Sequence, residues 1–446
     1  MRYLIHPNSH PCFIRSIARP AMLAAMVVLV TLPVMAVPLS PRAYPITPRV
    51  SAPSGHAIAS FDLGANGIYF MTGDPFYNPG LTLWVHDGSS STAVYNNPAV
   101  FAGSRVAILN GKVYFNDGGD FSRWTYDYFL LNPDYTVTRV VDSTASVSLW
   151  GAETGPDNAL YASGAEGFGP SRIYRTIPDQ AGQFGPFAVL GEMGDASGPL
   201  AFAPGGGLYY VPGYFYAGPP VPVYAFSSTE VSAAIADPVT SPLVPGGHAW
   251  AQLPTPYTGA SGAVVDAFGR LYVSANAWGE PGQLLMYSPQ GGAPMVIAEE
   301  PAGRVETTRI ISGNLVFNTA DGIYEMPLPL AITTTGGTVA ATAGDPITLS
   351  VQIAGGAGTI NYQWYRITGQ KALVPVGDNL PYYTFTPSVS DDGARFYCEV
   401  SDAGFTVDSP EFVLQVNQPT PATRTTALLA ALSVIVLFLL ARTRRA

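Results

Sequence analysis

Cysteine and lysine are almost missing from these 446 residues, which hold two of each: Cys12 and Cys398, Lys112 and Lys371. Cys12 falls in the N-terminal leader described below, so the exported chain would keep one thiol and no intrachain disulfide. Stability must then come from burial, which a chain of this length can supply in two or more domains. Charge is scarce as well: 12% of residues are charged, against about a quarter in ordinary soluble domains. The net charge is −10 and the positive residues gather at the chain ends, so no basic face exists to neutralise phosphates and nucleic acid is excluded as a partner. Beyond the leader stand three histidines, His56, His86 and His248, none at metal-ligand spacing. No G-x-S-x-G elbow, His-Glu-x-x-His pair or phosphate-binding P-loop occurs. Nucleophilic catalysis has no visible kit, and no cofactor is expected.

What is abundant is Gly (47), Pro (41), Tyr (25) and Phe (21), a mixture that favours sheet joined by many turns. The two ends carry the long apolar runs. Arg2, Arg15 and Arg19 precede an apolar stretch from Ala21 to Leu32, then Pro33 and the small Ala36. That pattern predicts a secretory signal peptide over residues 1–36, since the run is short for the roughly 20 residues that span a bilayer. At the other end a linker, 417–426, leads into an apolar helix predicted over 427–441, followed by Arg442, Arg444 and Arg445 in a basic tail, 442–446. A hydrophobic stop followed by cations predicts a membrane anchor that leaves the tail cytoplasmic and the preceding chain outside. Gln418-Pro419-Thr420-Pro421, the apolar helix and the arginines together resemble bacterial C-terminal sorting signals of the PEP-CTERM and IPTL-CTERM kinds, although neither Pro-Glu-Pro nor Ile-Pro-Thr-Leu is present. The resemblance implies a sorting enzyme as a partner beside the membrane.

Between the ends a turn followed by an aromatic-bearing strand recurs six times, at N-G-I-Y-F (66), N-G-K-V-Y-F (110), D-N-A-L-Y-A (157), G-G-L-Y-Y-V (206), G-R-L-Y-V-S (269) and G-N-L-V-F-N (313). The aliphatic members Ile68, Val113, Leu160, Leu208, Leu271 and Leu315 are 45, 47, 48, 63 and 44 residues apart, the long interval containing the Pro-rich stretch Asp237 to Pro256, which reads as an added surface loop. A second strand follows each of the first five after 13 to 15 residues, and a third follows in several units. Meanders of this size cannot bury both faces alone, so they must stack, and stacking that closes radially is a β-propeller. Residues 51–329 are similar in style to six-bladed NHL-repeat and lactonase-type propellers. A β-sandwich or β-helix built from the same hairpins, and a seventh blade, are alternatives. Residues 55–63 are expected to complete the last unit by ring closure.

From Ala331 the texture changes to Thr, Gly and alternating aliphatics at Ile347, Leu349, Val351 and Ile353, the period of a half-buried strand. Trp364, then Asp392, Phe396 and Cys398 in D-D-G-A-R-F-Y-C, make residues 330–416 resemble an immunoglobulin-like domain. The resemblance implies Trp364 as the core tryptophan, Cys398 as the second cysteine and Phe396 at the tyrosine-corner position. Val351 stands where the first cysteine would be, so the module must hold by packing. The fold expected overall is all-β: a propeller of about six blades, an immunoglobulin-like sandwich, a leader and a C-terminal transmembrane helix.

These readings predict an exported, membrane-anchored surface protein that binds or builds rather than catalyses. Carbohydrate or protein partners would meet aromatics in long loops, namely Phe76-Tyr77, Tyr214-Phe215-Tyr216 and Trp250. The alternative is a metal-dependent lactonase or esterase with its site in the propeller channel. Its candidate ligands are Glu153, Asp157, Asp266 and Asn276, which also read as turn and loop-end residues.

Overall fold

A computed structural model describes residues 37–74, 78–119, 127–141, 148–165, 169–368 and 372–418. The expected leader, the expected anchor and tail, and Phe76-Tyr77 lie outside the described residues. Among the described residues no helix is long and apolar enough to cross a membrane.

The chain is nearly all β. Six antiparallel four-stranded meanders follow one another, and their first strands are Ile58–Gly64, Ala102–Leu109, Ser148–Thr154, Leu200–Phe202, Gly259–Val265 and Thr308–Ile311. Each of these touches the first strand of the next sheet, and the sixth sheet returns to the first, so the sheets close into a ring in the manner of a β-propeller. A single parallel bridge, Ala251 to Gly292, joins the outer edges of the fourth and fifth sheets. The repeated aromatic strand is the second of each sheet, not the innermost. The innermost strands carry glycine where they pack closely on the second strand or on the next sheet. At Gly103, Gly151 and Gly262 an added Cβ would lie 2.1, 2.8 and 2.3 Å from a neighbouring atom. The turn before the second strand is tight: Asn110 and Gly111 both have positive φ, 51° and 73°, the geometry that joins two-residue hairpins.

Short polar side chains on the second strand latch four of the sheets to the next. Asn116 donates to the Leu149 carbonyl at 3.2 Å, Ser163 to Gly198 at 2.6 Å and Asn318 to Ile58 at 2.9 Å. Ser274 and Thr308 share a hydrogen bond of 2.6 Å. Buried backbone carbonyls at the sheet junctions are thereby satisfied, which apolar packing could not do.

Two expectations need correction. The ring is closed by Thr47–Ser51, which pairs antiparallel with Gly322–Pro327 as the outer strand of the sixth sheet. Residues 55–63 instead lead into the inner strand of the first. The closing strand, T-P-R-V-S, buries Val50 and holds a proline at a sheet edge, so it has little of the alternation that marks a strand. The long fourth interval, moreover, contains a helix, Ser228–Ala236, and its outer strand Ala249–Gln252, rather than a surface loop alone.

That helix begins at Ser227 in a capping box with Glu230. Glu230 Oε1 also meets His248 Nε2 at 2.8 Å. Hydrogen bonds from Ser227 and then His248 bring the Glu230 carboxyl down to about 2, and the Glu230 bond raises the imidazole above its ordinary value. The signs are opposite on the two sides of the pair. The raised imidazole stabilises fully below its unfolded value and loses that contribution as pH climbs through its folded one. The lowered carboxyl contributes above its unfolded value and fails as pH falls through about 2. A pair this exposed is worth about 0.2–1 kcal/mol. His248→Gln should therefore lower the unfolding midpoint near pH 5 to 6 and leave it unchanged near pH 9, and a pH-independent difference would disprove the pairing.

After the ring, Gly337–Thr342, Phe412–Asn417, Arg395–Ser401, Asn361–Thr368 and Ala372–Val376 form one sheet, and Ile347–Ser350 pairs with Tyr382–Phe385 across the core. Trp364 and Cys398 face each other in register on adjacent strands, and both are fully buried. Val351 joins the same core, Phe396 packs on Phe385 at 5.1 Å, and Asp392 accepts the Val416 N–H at 2.9 Å. Burial pushes the Cys398 thiol up to about 12, so it is inert at neutral pH. One apolar cluster runs from Tyr272, Leu284 and Met286 of the fifth sheet through Leu330 to Trp364 and Phe412, so ring and sandwich share a core.

Candidate functional site

Antiparallel alternation decides which end of the ring carries which groups. Turns between first and second strands emerge at one end, and loops between second and third strands at the other. At the first end, Arg270 donates to the Leu330 carbonyl at 3.0 Å, and Leu330 N–H donates to the Tyr44 hydroxyl at 2.9 Å. Tyr44 in turn donates to Asp402 of the C-terminal module. The C-terminal module thus meets this end of the ring at the fifth sheet, while the turns at Asn66, Asn110 and Asp157 stay exposed.

The opposite end holds a cleft of about 620 Å³ between the fourth, fifth and sixth sheets. Tyr214 bounds it on one side, Trp278 and Glu280 on another, and Ala302 to Arg304 on the third. Trp278 is 96% exposed. It stands in A-N-A-W-G-E-P-G, where Gly279 takes a φ of 78° and Tyr257 ties the loop down through the Pro281 carbonyl at 3.1 Å. The loop is fixed but gives the indole nothing to pack on. Tyr214 and Tyr216 are also exposed, edge to face with each other at 5.7 Å. Arg304 pairs with Glu306 at 2.8 Å, leaving donors at the rim. Fixed aromatic faces beside charged hydrogen-bonding groups suit a ligand with both C–H faces and hydroxyls.

Of the aromatics named from sequence, Tyr214 and Tyr216 are surface groups, whereas Phe215 is partly buried and Trp250 packs on Tyr209 at 5.0 Å and Tyr287 at 5.8 Å. Trp278 escaped notice because it lies outside the repeat's strands. Its one signal was a tryptophan in a Gly/Pro-bounded loop, where no core position was predicted.

The four candidate metal ligands fall into separate networks. Asn276 lines the floor of the cleft and acts as a latch, accepting the Val305 N–H at 3.2 Å and donating to the Val305 carbonyl at 2.8 Å. Asp157 and Asp266 both stand in the turn before a second strand, two positions apart in the repeat. Each accepts the hydroxyl of the repeat tyrosine four or six residues on, Tyr161 at 3.0 Å and Tyr272 at 2.9 Å. Each also meets an arginine, Arg175 at 2.8 Å and Arg270 at 2.6 Å. Burial works to raise the Asp157 carboxyl, but the Arg175 and backbone hydrogen bonds outweigh it and hold it below the ordinary value. Glu153 alone faces the ring's axis, where burial raises its carboxyl against the pull of Arg309. Among the described residues no group of three or more His, Cys, Asp and Glu is placed to hold a metal.

The axis is charged. Asp62, Arg105, Glu153 and Arg309 come from the inner strands of the first, second, third and sixth sheets. Arg309 lies 3.5 Å from Asp62 and 3.4 Å from Glu153. Glu153 keeps 25% of its side-chain surface accessible despite its depth, so water reaches the channel.

The sequence matches no family model and no curated protein. Among solved structures, the extracellular domain of a protein assigned to a hybrid two-component system from B. thetaiotaomicron is similar over 84% of this chain, with 10% identity and a TM-score of 0.37. This chain spans 58% of that structure's length. A protein of Bacteroides uniformis assigned as a 6-phosphogluconolactonase is similar over 58% of this chain and 77% of its own, with 14% identity and a TM-score of 0.37. Likeness of this degree decides nothing about chemistry, which has to be argued from the chain's own residues.

Proposed function

We propose that the chain is an exported, membrane-anchored surface protein whose ring, a six-bladed β-propeller, binds glycan in the cleft at Trp278. An immunoglobulin-like module, residues 330–416, would carry the ring beside its fifth sheet, and the apolar 427–441 helix would anchor it. A leader that matches the secretory pattern and a C-terminal stop followed by arginines support export and anchoring; the tail's likeness to sorting signals supports a processing enzyme as partner.

The observation that carries the binding reading is the 96% exposure of Trp278 at the lip of the cleft, opposite Tyr214. Leaving an indole in water forgoes about 1.5–3 kcal/mol of burial, a cost that a flat apolar partner recovers. The C–H face of a pyranose stacks on such a ring, and Glu280 and Arg304 stand where its hydroxyls would be. The test is saturable binding of the full-length protein, in detergent, to a panel of neutral and acidic polysaccharides by calorimetry. Trp278→Ala should weaken the best binder at least about tenfold with no change in unfolding midpoint, since the side chain supports nothing. Absence of saturable binding across the panel, or an unaffected W278A, would sink the proposal.

A further inference from the structure

The four axial charges are unevenly shared. Both acids, Asp62 and Glu153, lie against Arg309. Arg105 is 3% exposed and forms no ion pair with any described residue. Its Nη1 reaches across the channel to Thr307 Oγ1 at 3.5 Å, the limit of a hydrogen bond, and its Nε–H has no partner among the described residues. Thr307 passes its own proton to Ser60 Oγ at 3.0 Å, and Ser60 also accepts the Val106 N–H at 3.0 Å. The chain of donors thus ends in a hydroxyl whose lone pairs are engaged and whose proton is still to be placed.

A buried guanidinium without a contacting counter-charge is expensive, because its desolvation is repaid only by a close opposite charge or by several good acceptors. Glu153 and Asp62 attract it only from beyond ion-pair distance, and its Nε–H meets no acceptor among the described residues. The planar fork of arginine matches carboxylate and phosphate oxygens, and the accessible edge of Glu153 shows that water enters the channel. We propose that the channel binds a small oxyanion, the carboxylate or phosphate group of a ligand entering along the axis, on Arg105 with Ser60 as second donor. Arg309 is already neutralised by its two acids and sets the far wall. This site is independent of the aromatic cleft and of its glycan.

The experiment is thermal unfolding of the full-length protein in detergent with sodium phosphate, sodium acetate or, at matched ionic strength, sodium chloride. A ligand that binds the folded chain raises the midpoint by mass action, here by about 2–4 °C at saturation over the chloride control. A shift with phosphate alone identifies phosphate, with acetate alone carboxylate, and with both a general oxyanion site. Arg105→Gln should abolish the shift. Should that variant fail to fold, Arg105→Lys keeps the charge without the fork and should need about tenfold more anion for the same shift. No shift in the wild-type protein with either anion, or an undiminished shift in R105Q or R105K, overturns the proposal.

Discussion

Asp266→Ala is expected to cost the protein about 3–5 kcal/mol, the range for removing one partner of a buried ion pair. Asp266 is fully buried and Arg270 is 9% exposed in the pair they form at 2.6 Å. The carboxylate does three jobs. It accepts the Phe268 and Arg270 N–H groups at 2.9 and 3.0 Å, closing the turn; it accepts the Tyr272 hydroxyl; and it neutralises Arg270. With the carboxylate gone, Arg270 keeps its bond to the Leu330 carbonyl, but its charge stays buried and unmatched, with Nη2 already lacking a partner.

The control is built into the repeat. Asp157 occupies the same turn in the third sheet, with the same tyrosine and an arginine at 2.8 Å, yet its side chain is 32% exposed and that of Arg175 18%. Water can reclaim those charges, so Asp157→Ala should cost about 0.2–1 kcal/mol from the pair and up to roughly 1 kcal/mol more from its lost hydrogen bonds. Denaturant unfolding followed by both tryptophan fluorescence and far-ultraviolet circular dichroism gives the two values. Equal losses at the two positions would show that burial is not what separates them.

Much of the fold was legible because its signals are local. The six second strands carry an aliphatic followed in five of six by tyrosine, behind turns with left-handed residues, and that combination fixes both period and strand type. The inner strands were harder to see, since close packing on the second strand and the next sheet selects Gly, Ala and Ser, which have weak strand preference. Thr47–Ser51 was lost for a related reason, being an edge strand that buries one apolar side chain. The site was far less legible. Glu153 was named as a channel residue, but Asp62, Arg105 and Arg309 stand tens to hundreds of residues apart, and a lone charge in a strand pattern reads as solvent-facing until closure of the ring turns it inward. The turn acids illustrate the opposite failure: Asp157 and Asp266 looked like ligands by residue type, whereas their hydrogen bonds go to the repeat's own tyrosines.

Trp364→Ala is expected to destabilise the C-terminal module by about 3–5 kcal/mol, the usual cost of truncating a buried tryptophan. The indole is fully buried between Tyr383, at 6.3 Å, and Phe412, at 5.8 Å, and its Nε1–H satisfies the Leu380 carbonyl at 3.1 Å. Truncation opens a cavity and strands that carbonyl together. A module with an inter-sheet disulfide could absorb such a loss, because the cross-link restrains the unfolded chain by about 2–5 kcal/mol. Here Val351 and the free Cys398 thiol lie in the same core and supply packing alone. The loss should also reach the ring, since Leu330 and Tyr272 belong to the same apolar cluster as Trp364. Two results check this. The W364A midpoint should fall by several degrees in a scan that reads both modules, and Cys398, unreactive in the wild-type protein, should become open to an alkylating reagent. Trp364→Phe keeps most of the volume and forfeits the indole hydrogen bond, so its loss should be smaller and its thiol should stay protected. If W364A left the thiol protected and the midpoint unmoved, packing around the tryptophan would not be what holds the sandwich closed.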